Sequence, residues 1–501
     1  MNLRPYQREA VEAIETGWSE FRRQLLVLPT GTGKTVVFSQ VAMDRAHDGN
    51  VLILAHRDEL IEQARDKYQR LTGQQAGKIK ANENLLMPVT VGSVQTMVRR
   101  EYPADYFRTI IVDEAHHSLA DSYQSILTRY DADVLGVTAT PDRGDKKSLG
   151  RYYDRIAYEY NLRDAVKDGY LCSLCARTVP LEIDLSQVKV KVGDFEVNSI
   201  AETLEPYLPK IAEAIARYAS NRKIVVFLPL ISIAQEFRDC LIAAGFDARE
   251  VNGSSPDRKE VIEWFDQAGP GSVLCNAMLL TEGWDCPSVD CVVVLRPTKI
   301  RALYCQMIGR GTRPAPGKEN LLILDFLWMS QKHDLCRPAD LSADNEEDKK
   351  YITKKSTEEI DLFDAASDAV EARRNALAEQ LAAQRRKKSR LIDPLQYFVS
   401  VSDMDLADYE PSFAWESQEA TEKQIRTLEN FGINPTGICK GQASLIIDRL
   451  INRRKQGLAT PKQIGCLERF GYQDVGTWTF LQASAKINQL AAVGWKRWKI
   501  S

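Results

Sequence analysis

Between residues 20 and 160 the chain alternates short, β-rich apolar runs with polar stretches of helical character, and no other feature limits its fold so strongly. The runs are Leu25–Leu28, Val51–Ala55, Val89–Val91, Ile110–Val112 and Val134–Val137. Continuous apolarity, followed each time by turn or polar residues, marks strands buried on both faces in a parallel sheet with helical crossovers. The pattern restarts near residue 205. A helix over Ile211–Tyr218 leads to Ile224–Leu228, then a helix over Ile231–Ala244 and the runs Val273–Leu274, Cys291–Leu295 and Leu321–Leu324. The prediction is an α/β chain with two tandem parallel-sheet domains, 1–160 and 206–335, connected by 161–205.

After Asp325 the character changes. Residues 336–410 read as a charged helical linker, with a solvent-facing helix that is acidic first and basic last over Glu371–Arg390, as a helix dipole favours. Residues 411–501 contain an internal repeat. The segment 420–432 (ATEKQIRTLENFG) returns as 459–471 (ATPKQIGCLERFG), with nine of 13 positions identical. Thr421 and Thr460 suit N-caps, Pro461 the first helical position, and Gly432 a helix end. Ile425, Leu428 and Phe431 form an apolar stripe. Each unit of about 39 residues is expected to be a helical hairpin, with the two hairpins packed as a small α-helical domain.

Charge singles out the same region. The chain carries a net charge of -3, yet residues 421–501 hold thirteen Lys and Arg against five Asp and Glu. A basic module on an acidic body suits a polyanion anchor as well as a solvated helical face. Trp478, Trp495 and Trp498 interleave with Lys496, Arg497 and Lys499, a pattern for base stacking or for core packing. The apolar runs are far shorter than the roughly 20 residues of a membrane span or the 7–15 of a secretory segment. The opening MNLRPYQ reads as mature protein. Ten scattered cysteines suit a reducing, cytoplasmic setting. Cys172 and Cys175 have zinc-like spacing, but the usual second pair is missing nearby.

The first apolar run ends in Leu28-Pro29-Thr30-Gly31-Thr32-Gly33-Lys34-Thr35. Strand, Gly-rich turn, Lys, then Thr entering a helix is a phosphate cradle. Gly31 and Gly33 let backbone N–H groups approach phosphates, Lys34 reaches the β- and γ-phosphates of ATP, and Thr35 can place its hydroxyl on Mg²⁺. The fourth run ends in Asp113-Glu114-Ala115-His116-His117. Carboxylates at the end of a buried strand are costly unless they meet a cation. Asp113 therefore suits Mg²⁺, directly or through water, and Glu114 the attacking water. His116 reads as a hydrogen-bonding coupler.

With these two segments in order, the chain resembles a superfamily 2 helicase with paired RecA-like domains. Arg4 and Gln7, in Leu3-Arg-Pro-Tyr-Gln7, resemble the motif whose Gln reads the adenine edge. The segments around Arg57 and Thr96 resemble strand-contacting motifs. Thr138 and Thr140, in Thr138-Ala-Thr-Pro141, resemble the motif coupling hydrolysis to movement. Thr281, Gly283 and Asp285 belong to a segment resembling the first of the last two motifs. Gln306, Arg310 and Arg313 fit Gln-x-x-Gly-Arg-x-x-Arg. The resemblance covers residues 1–335. The opening LRPYQ, the phrase Asp168-Gly-Tyr-Leu171 and Glu282-Gly-Trp-Asp285 are similar to the RadD-, UvsW- and XPB-like branch, related to type III restriction Res subunits.

The resemblance implies an ATP- and Mg²⁺-dependent DNA helicase or translocase acting in repair, recombination or replication. Arg310 and Arg313 would reach across to the γ-phosphate. Arg57, Thr96, Arg258 and Thr281 would hold phosphates of DNA, whether duplex, forked or single-stranded. Single-strand-binding or replication and repair proteins are further expected partners of the C-terminal domain. An RNA helicase, a catalytically idle adaptor and the motor of a restriction complex stay open as alternatives.

Overall fold

The computed structural model describes residues 3–492 except 56–57, 140–148, 185–187, 192–193, 278–283, 285, 330–335, 344, 385–393, 402, 404–405, 407–408, 412 and 414. The chain separates into two compact units, with the main division between Ala366 and Ser367. Among the described residues no helix is long and apolar enough to cross a membrane.

The first unit holds both predicted sheets. Strands β1 (Arg23–Val27), β2 (Asn50–Ala55), β3 (Gly77–Lys80), β4 (Glu83–Leu85), β5 (Val89–Ser93), β6 (Phe107–Asp113), β7 (Asp133–Thr138) and β8 (Arg155–Glu159) form the first. Their order is β4-β3-β5-β2-β6-β7-β1-β8, parallel except for β4 at one edge. The apolar runs of the sequence are these strands. Leu25, Leu26, Ile53, Ile111 and Leu135 are essentially inaccessible to solvent, and each such side chain contributes about 1.5–3 kcal/mol by burial. Register sets the site. Val27 lies opposite Thr138, and Val137 opposite Asp113. The Gly-rich turn, Thr138 and the Asp-Glu pair thus emerge side by side at the carboxyl edge of the sheet, where open α/β sheets bind ligands.

The second sheet uses β9 (Ser173–Asp184), β12 (Ile224–Leu228), β13 (Asp247–Val251), β14 (Ser272–Ala277), β15 (Cys291–Val294), β16 (Asn320–Met329) and β17 (Ile360–Asp361). The order is β13-β14-β12-β15-β16-β9-β17. A separate ribbon pairs β10 (Val190–Lys191) with β11 (Asp194–Phe195). Here the sequence boundaries shift. The 161–205 segment is more than a connection, because β9 runs parallel to β16 and Ile200 and Leu204 enter the second core. Likewise, β17 and the start of the helix Leu362–Gln384, with Leu362 and Ala365 buried, lie on the first unit's side of the division. The 336–410 segment is therefore divided between the units.

The second unit contains two helical hairpins, Glu422–Phe431 with Lys440–Lys455 and Pro461–Arg469 with Phe480–Ala492. Thr421 and Thr460 accept hydrogen bonds from the N–H groups of Gln424 and Gln463, both at 3.3 Å. Gly432 closes its helix in the left-handed region at φ +94°. Leu428, Ile446, Ile464 and Leu467 form the core, joined by Tyr397 and Phe398 from the preceding segment. Trp478 packs against this core, edge-on to Tyr472. Trp495 and Trp498 lie outside the described residues.

Candidate active site

The Gly-rich turn joins β1 to the helix Lys34–Arg45. Gly31 and Gly33 adopt φ of +92° and +85°, a region that any side chain would strain. Space is short as well: a Cβ on Gly33 would lie 2.7 Å from Gln7 Nε2. The turn is braced from within. The Thr32 hydroxyl donates to the carbonyl of Pro29 at 2.7 Å. The Thr32 carbonyl accepts from the Tyr6 hydroxyl at 2.5 Å and from Gln7 Nε2 at 3.0 Å. Gln7 Oε1 accepts the N–H of Arg4. Tyr6 stacks on Tyr160, with ring centroids 4.5 Å apart, and the Arg4 guanidinium lies 5.0 Å from the Tyr170 ring. Of the two residues expected beside a nucleotide, Gln7 is thus anchored on the cradle itself and Arg4 on Gln7 and Tyr170.

The two carboxylates leave the end of β6. The N–H of Glu114 donates to Asp113 Oδ1 at 3.0 Å. Glu114 has φ +54° and ψ +62°, a left-handed conformation costing on the order of 1–3 kcal/mol in a residue with a side chain. Their protonation tendencies diverge. Burial, then the neighbouring Glu114 charge, pushes the Asp113 carboxyl up to about 6, with Lys34 and Lys67 opposing. Burial also acts to raise Glu114, but Lys34, His116 and Gln306 together hold it below the ordinary carboxylate value. His116 Nδ1 lies 3.5 Å from Glu114 Oε2. A carboxylate kept ionised beside a protonation-prone one is the asymmetry expected of a base next to a metal ligand.

A cavity of about 40 Å³ is lined by Thr35, Gln63, Lys67, Asp113 and Glu114 among others. Its hydroxyl and carboxylate oxygens are donors suited to a hard cation. Asp113 is a half-buried carboxylate whose ionisation the neighbouring Glu114 charge opposes despite Lys34 and Lys67, so a further cation there would be favourable and these residues fit Mg²⁺.

From the second sheet come the helix Arg301–Ile308 and the turn that follows it. A Cβ on Gly309 would fall 2.5 Å from Thr30, so only glycine lets the two segments approach. The Thr312 hydroxyl lies 3.4 Å from the carbonyl of Thr30 and 3.1 Å from that of Gly309. Arg313 Cγ stands 3.5 Å from a Cβ position on Gly31. Arg310 donates to the Trp284 carbonyl at 2.7 Å. Gln306, buried, reaches Glu114 and favours its charge. The structure therefore brings Lys34, Thr35, Asp113, Glu114, His116, Gln306 and Arg313 to one site.

Two lysines in it escaped the sequence reading. Lys67 feels Asp113 together with Arg310 and Arg313. The Lys318 ammonium donates to the carbonyls of Gly311, of Arg313 at 2.9 Å and of Pro287 at 3.1 Å, and so holds the backbone that carries the arginines. Neither has a local motif. Thr96 and Arg258 stand on other elements: Thr96 Oγ1 accepts the N–H of Ala81, and Arg258 opens the helix Arg258–Gln267. Arg57, Thr140, Thr281, Gly283 and Asp285 lie outside the described residues. Cys172 is buried, and its thiol lies 3.5 Å from the carbonyl of Gly311.

Residues 1–143 match the model of the type III restriction enzyme, res subunit, and residues 207–315 that of the helicase conserved C-terminal domain. IRC3 of Saccharomyces cerevisiae, which carries the name of an ATP-dependent helicase, is 33% identical over 66% of this chain and 52% of its own length. The DNA 3'-5' translocase XPB2 of Sulfurisphaera tokodaii is 26% identical over 64% of this chain and 81% of its own. The solved ATP-dependent Type ISP restriction-modification enzyme LlaBIII bound to DNA shares the fold, with a TM-score of 0.55 at 15% identity over 99% of this chain and 40% of that one. The chain spans 52% and 57% of the first two curated relatives it matches. The chain thus carries a res-subunit domain over residues 1–143 and a helicase C-terminal domain over residues 207–315, and motif residues of both meet at one site.

Proposed function

We propose that the chain is an ATP-dependent DNA helicase or translocase that hydrolyses ATP between its two sheets and moves on DNA as they close and part. The observation that carries this is the reach of Gln306 and Arg313 from the second sheet to Glu114 and Gly31 of the first. Gly31–Thr35 would cradle the phosphates on the positive helix end. Thr35 and Asp113 would hold Mg²⁺, which neutralises phosphate oxygens. Glu114, held ionised, orients the attacking water and accepts its proton. Arg310 and Arg313 stabilise charge on the transferring group, a role worth about 10³–10⁵ in rate. Because Gln306 favours the ionised base, hydrolysis depends on contact between the sheets, which is the coupling a motor needs.

His116, Thr138 and Thr140 belong to the same coupling. Arg57, Thr96, Arg258 and Thr281 are proposed phosphate contacts on the strand, and the basic 421–501 region a further DNA anchor. Cysteines outside any disulfide among the described residues fit a reducing cytoplasm. Kinship of residues 1–143 with restriction res subunits favours a second reading, the motor of a restriction complex. Single-stranded, duplex and forked DNA and RNA, compared side by side as ATPase activators, test the proposal. Glu114→Gln should abolish turnover while DNA binding survives. Parent-rate hydrolysis by that variant would sink the assignment, and stimulation by RNA alone would move the substrate to RNA.

A further inference from the structure

The two C-terminal hairpins are built alike and part company at one place. Gln424 donates to the carbonyl of Lys440 and the hydroxyl of Ser444, at 3.1 and 2.8 Å. Gln463 donates to the carbonyl of Phe480 and the hydroxyl of Ser484 at the same two distances. Lys440 and Phe480 therefore hold equivalent positions, and so do Gly441 and Leu481.

In the first hairpin the chain covers that position itself. The N–H groups of Lys440 and Gly441 donate to the carbonyls of Gln418 and Glu416. A Cβ on Gly441 would fall 2.0 Å from the Tyr409 hydroxyl and 2.6 Å from Glu416, so glycine is needed because a segment lies on it. The Lys440 ammonium sits 6.0 Å from the Trp415 ring. Phe413 is buried, with its N–H on the Glu416 carboxylate. The cover is both acidic and aromatic.

In the second hairpin the Phe480 N–H likewise donates to a preceding carbonyl, that of Gly457, at 2.7 Å, but the side chains at the equivalent positions are exposed. Phe480 is 47% and Leu481 76% exposed. They border a cavity of about 760 Å³ shared with Tyr397, Leu450, Leu458 and Pro461. Arg453 and the exposed Arg454 also line it. Tyr397 and Arg453 stand together on its wall, where Arg453 bears on the Tyr397 hydroxyl and donates to the carbonyl of Gly476. The walls mix aromatic and aliphatic side chains, but the matching position of the first hairpin is covered by an acidic, aromatic segment, and apolar anchors beside arginines suit acidic motifs.

We propose that Phe480, Leu481 and the adjoining cavity form a docking site for an acidic, aromatic-bearing peptide segment of a partner protein, seated as Tyr409, Trp415 and Glu416 are seated on the first hairpin. A fluorescein-labelled peptide copying residues 409–418 is titrated with the full chain by anisotropy. Phe480→Lys combined with Leu481→Gly installs the residues the first hairpin already carries at these positions, and Leu481→Glu changes a single exposed side chain. Melting and basal ATPase activity verify that both variants fold.

Saturable binding is expected, weakened about tenfold or more by either variant and to a similar degree when the peptide's Glu residues become Lys. Absence of saturable binding, binding indifferent to both variants, or equal binding of the charge-reversed peptide overturns the proposal. So does competition by a thymidine oligonucleotide, which would give the face to nucleic acid. A dimer abolished by the double substitution would give it to a second copy and likewise overturn it.

Discussion

Replacing Lys318 by Met tests how the arginine-bearing turn is held. The ammonium donates to the carbonyls of Gly311, Arg313 and Pro287. Hydrogen bonds from a charged donor contribute about 1.5–3 kcal/mol each, but three on one atom are not additive, and Met keeps the apolar stem. A net loss of about 2–4 kcal/mol is expected, concentrated in the turn at Gly311–Arg313. Released from that anchor, Arg313 no longer stands over Gly31, and part of the roughly 10³–10⁵ supplied by an arginine is lost. DNA-stimulated ATPase should fall about a hundredfold in kcat, with the affinity of a fluorescent ADP analogue within about threefold, and melting should begin several degrees lower. Lys318→Arg should be intermediate, because a planar guanidinium cannot meet three converging carbonyls as a compact ammonium does. Parent kcat and an unchanged melting curve in Lys318→Met would refute the reasoning.

Asp113 must be ionised to take a cation, so kcat/KM should fall as pH drops below about 6. Lys67→Met removes one of the charges holding that carboxyl down, and the acid limb should move to higher pH; a fixed limb would remove Lys67 from the site. Burial pushes Asp325 from the ordinary 3.8 up to about 6, with Arg337 opposing. A raised acid pKa means the fold disfavours the ionised form, so this group's penalty grows as pH rises from about 4 and is complete above about 6. Asp325→Asn should therefore stabilise the chain by about 1–3 kcal/mol at pH 7.5 and by almost nothing at pH 4, as read by denaturant unfolding. Thr460→Ala removes the cap on Gln463 N and should destabilise the second unit by about 0.5–2 kcal/mol, measured by its thermal transition; an unchanged transition would remove that role.

Much of the architecture was legible locally. The short apolar runs became strands because a run of Val, Ile and Leu too short for a helix can be buried only in a sheet. The repeat was legible because its Thr caps and terminal glycine act within a few residues of themselves, and the structure uses Thr421, Thr460 and Gly432 in that way. Boundaries were less legible. The segment containing β9 looked like a connection because its pairing partner, β16, lies about 150 residues later in the chain, beyond the reach of any local pattern.

The site divides along the same line. A cradle of Gly31, Gly33 and Lys34 and an acidic pair at Asp113 and Glu114 are properties of contiguous residues, so the sequence determined them by itself. Only the tertiary structure decided that Gln306 favours the charge on Glu114, that Lys67 faces Asp113, that Lys318 pins the arginine turn, and that Phe480 stands open where Lys440 is covered. A lysine or an amide has no fixed role of its own. Its electrostatic effect depends on the distance to groups brought near by folding, and that distance is not written in neighbouring residues.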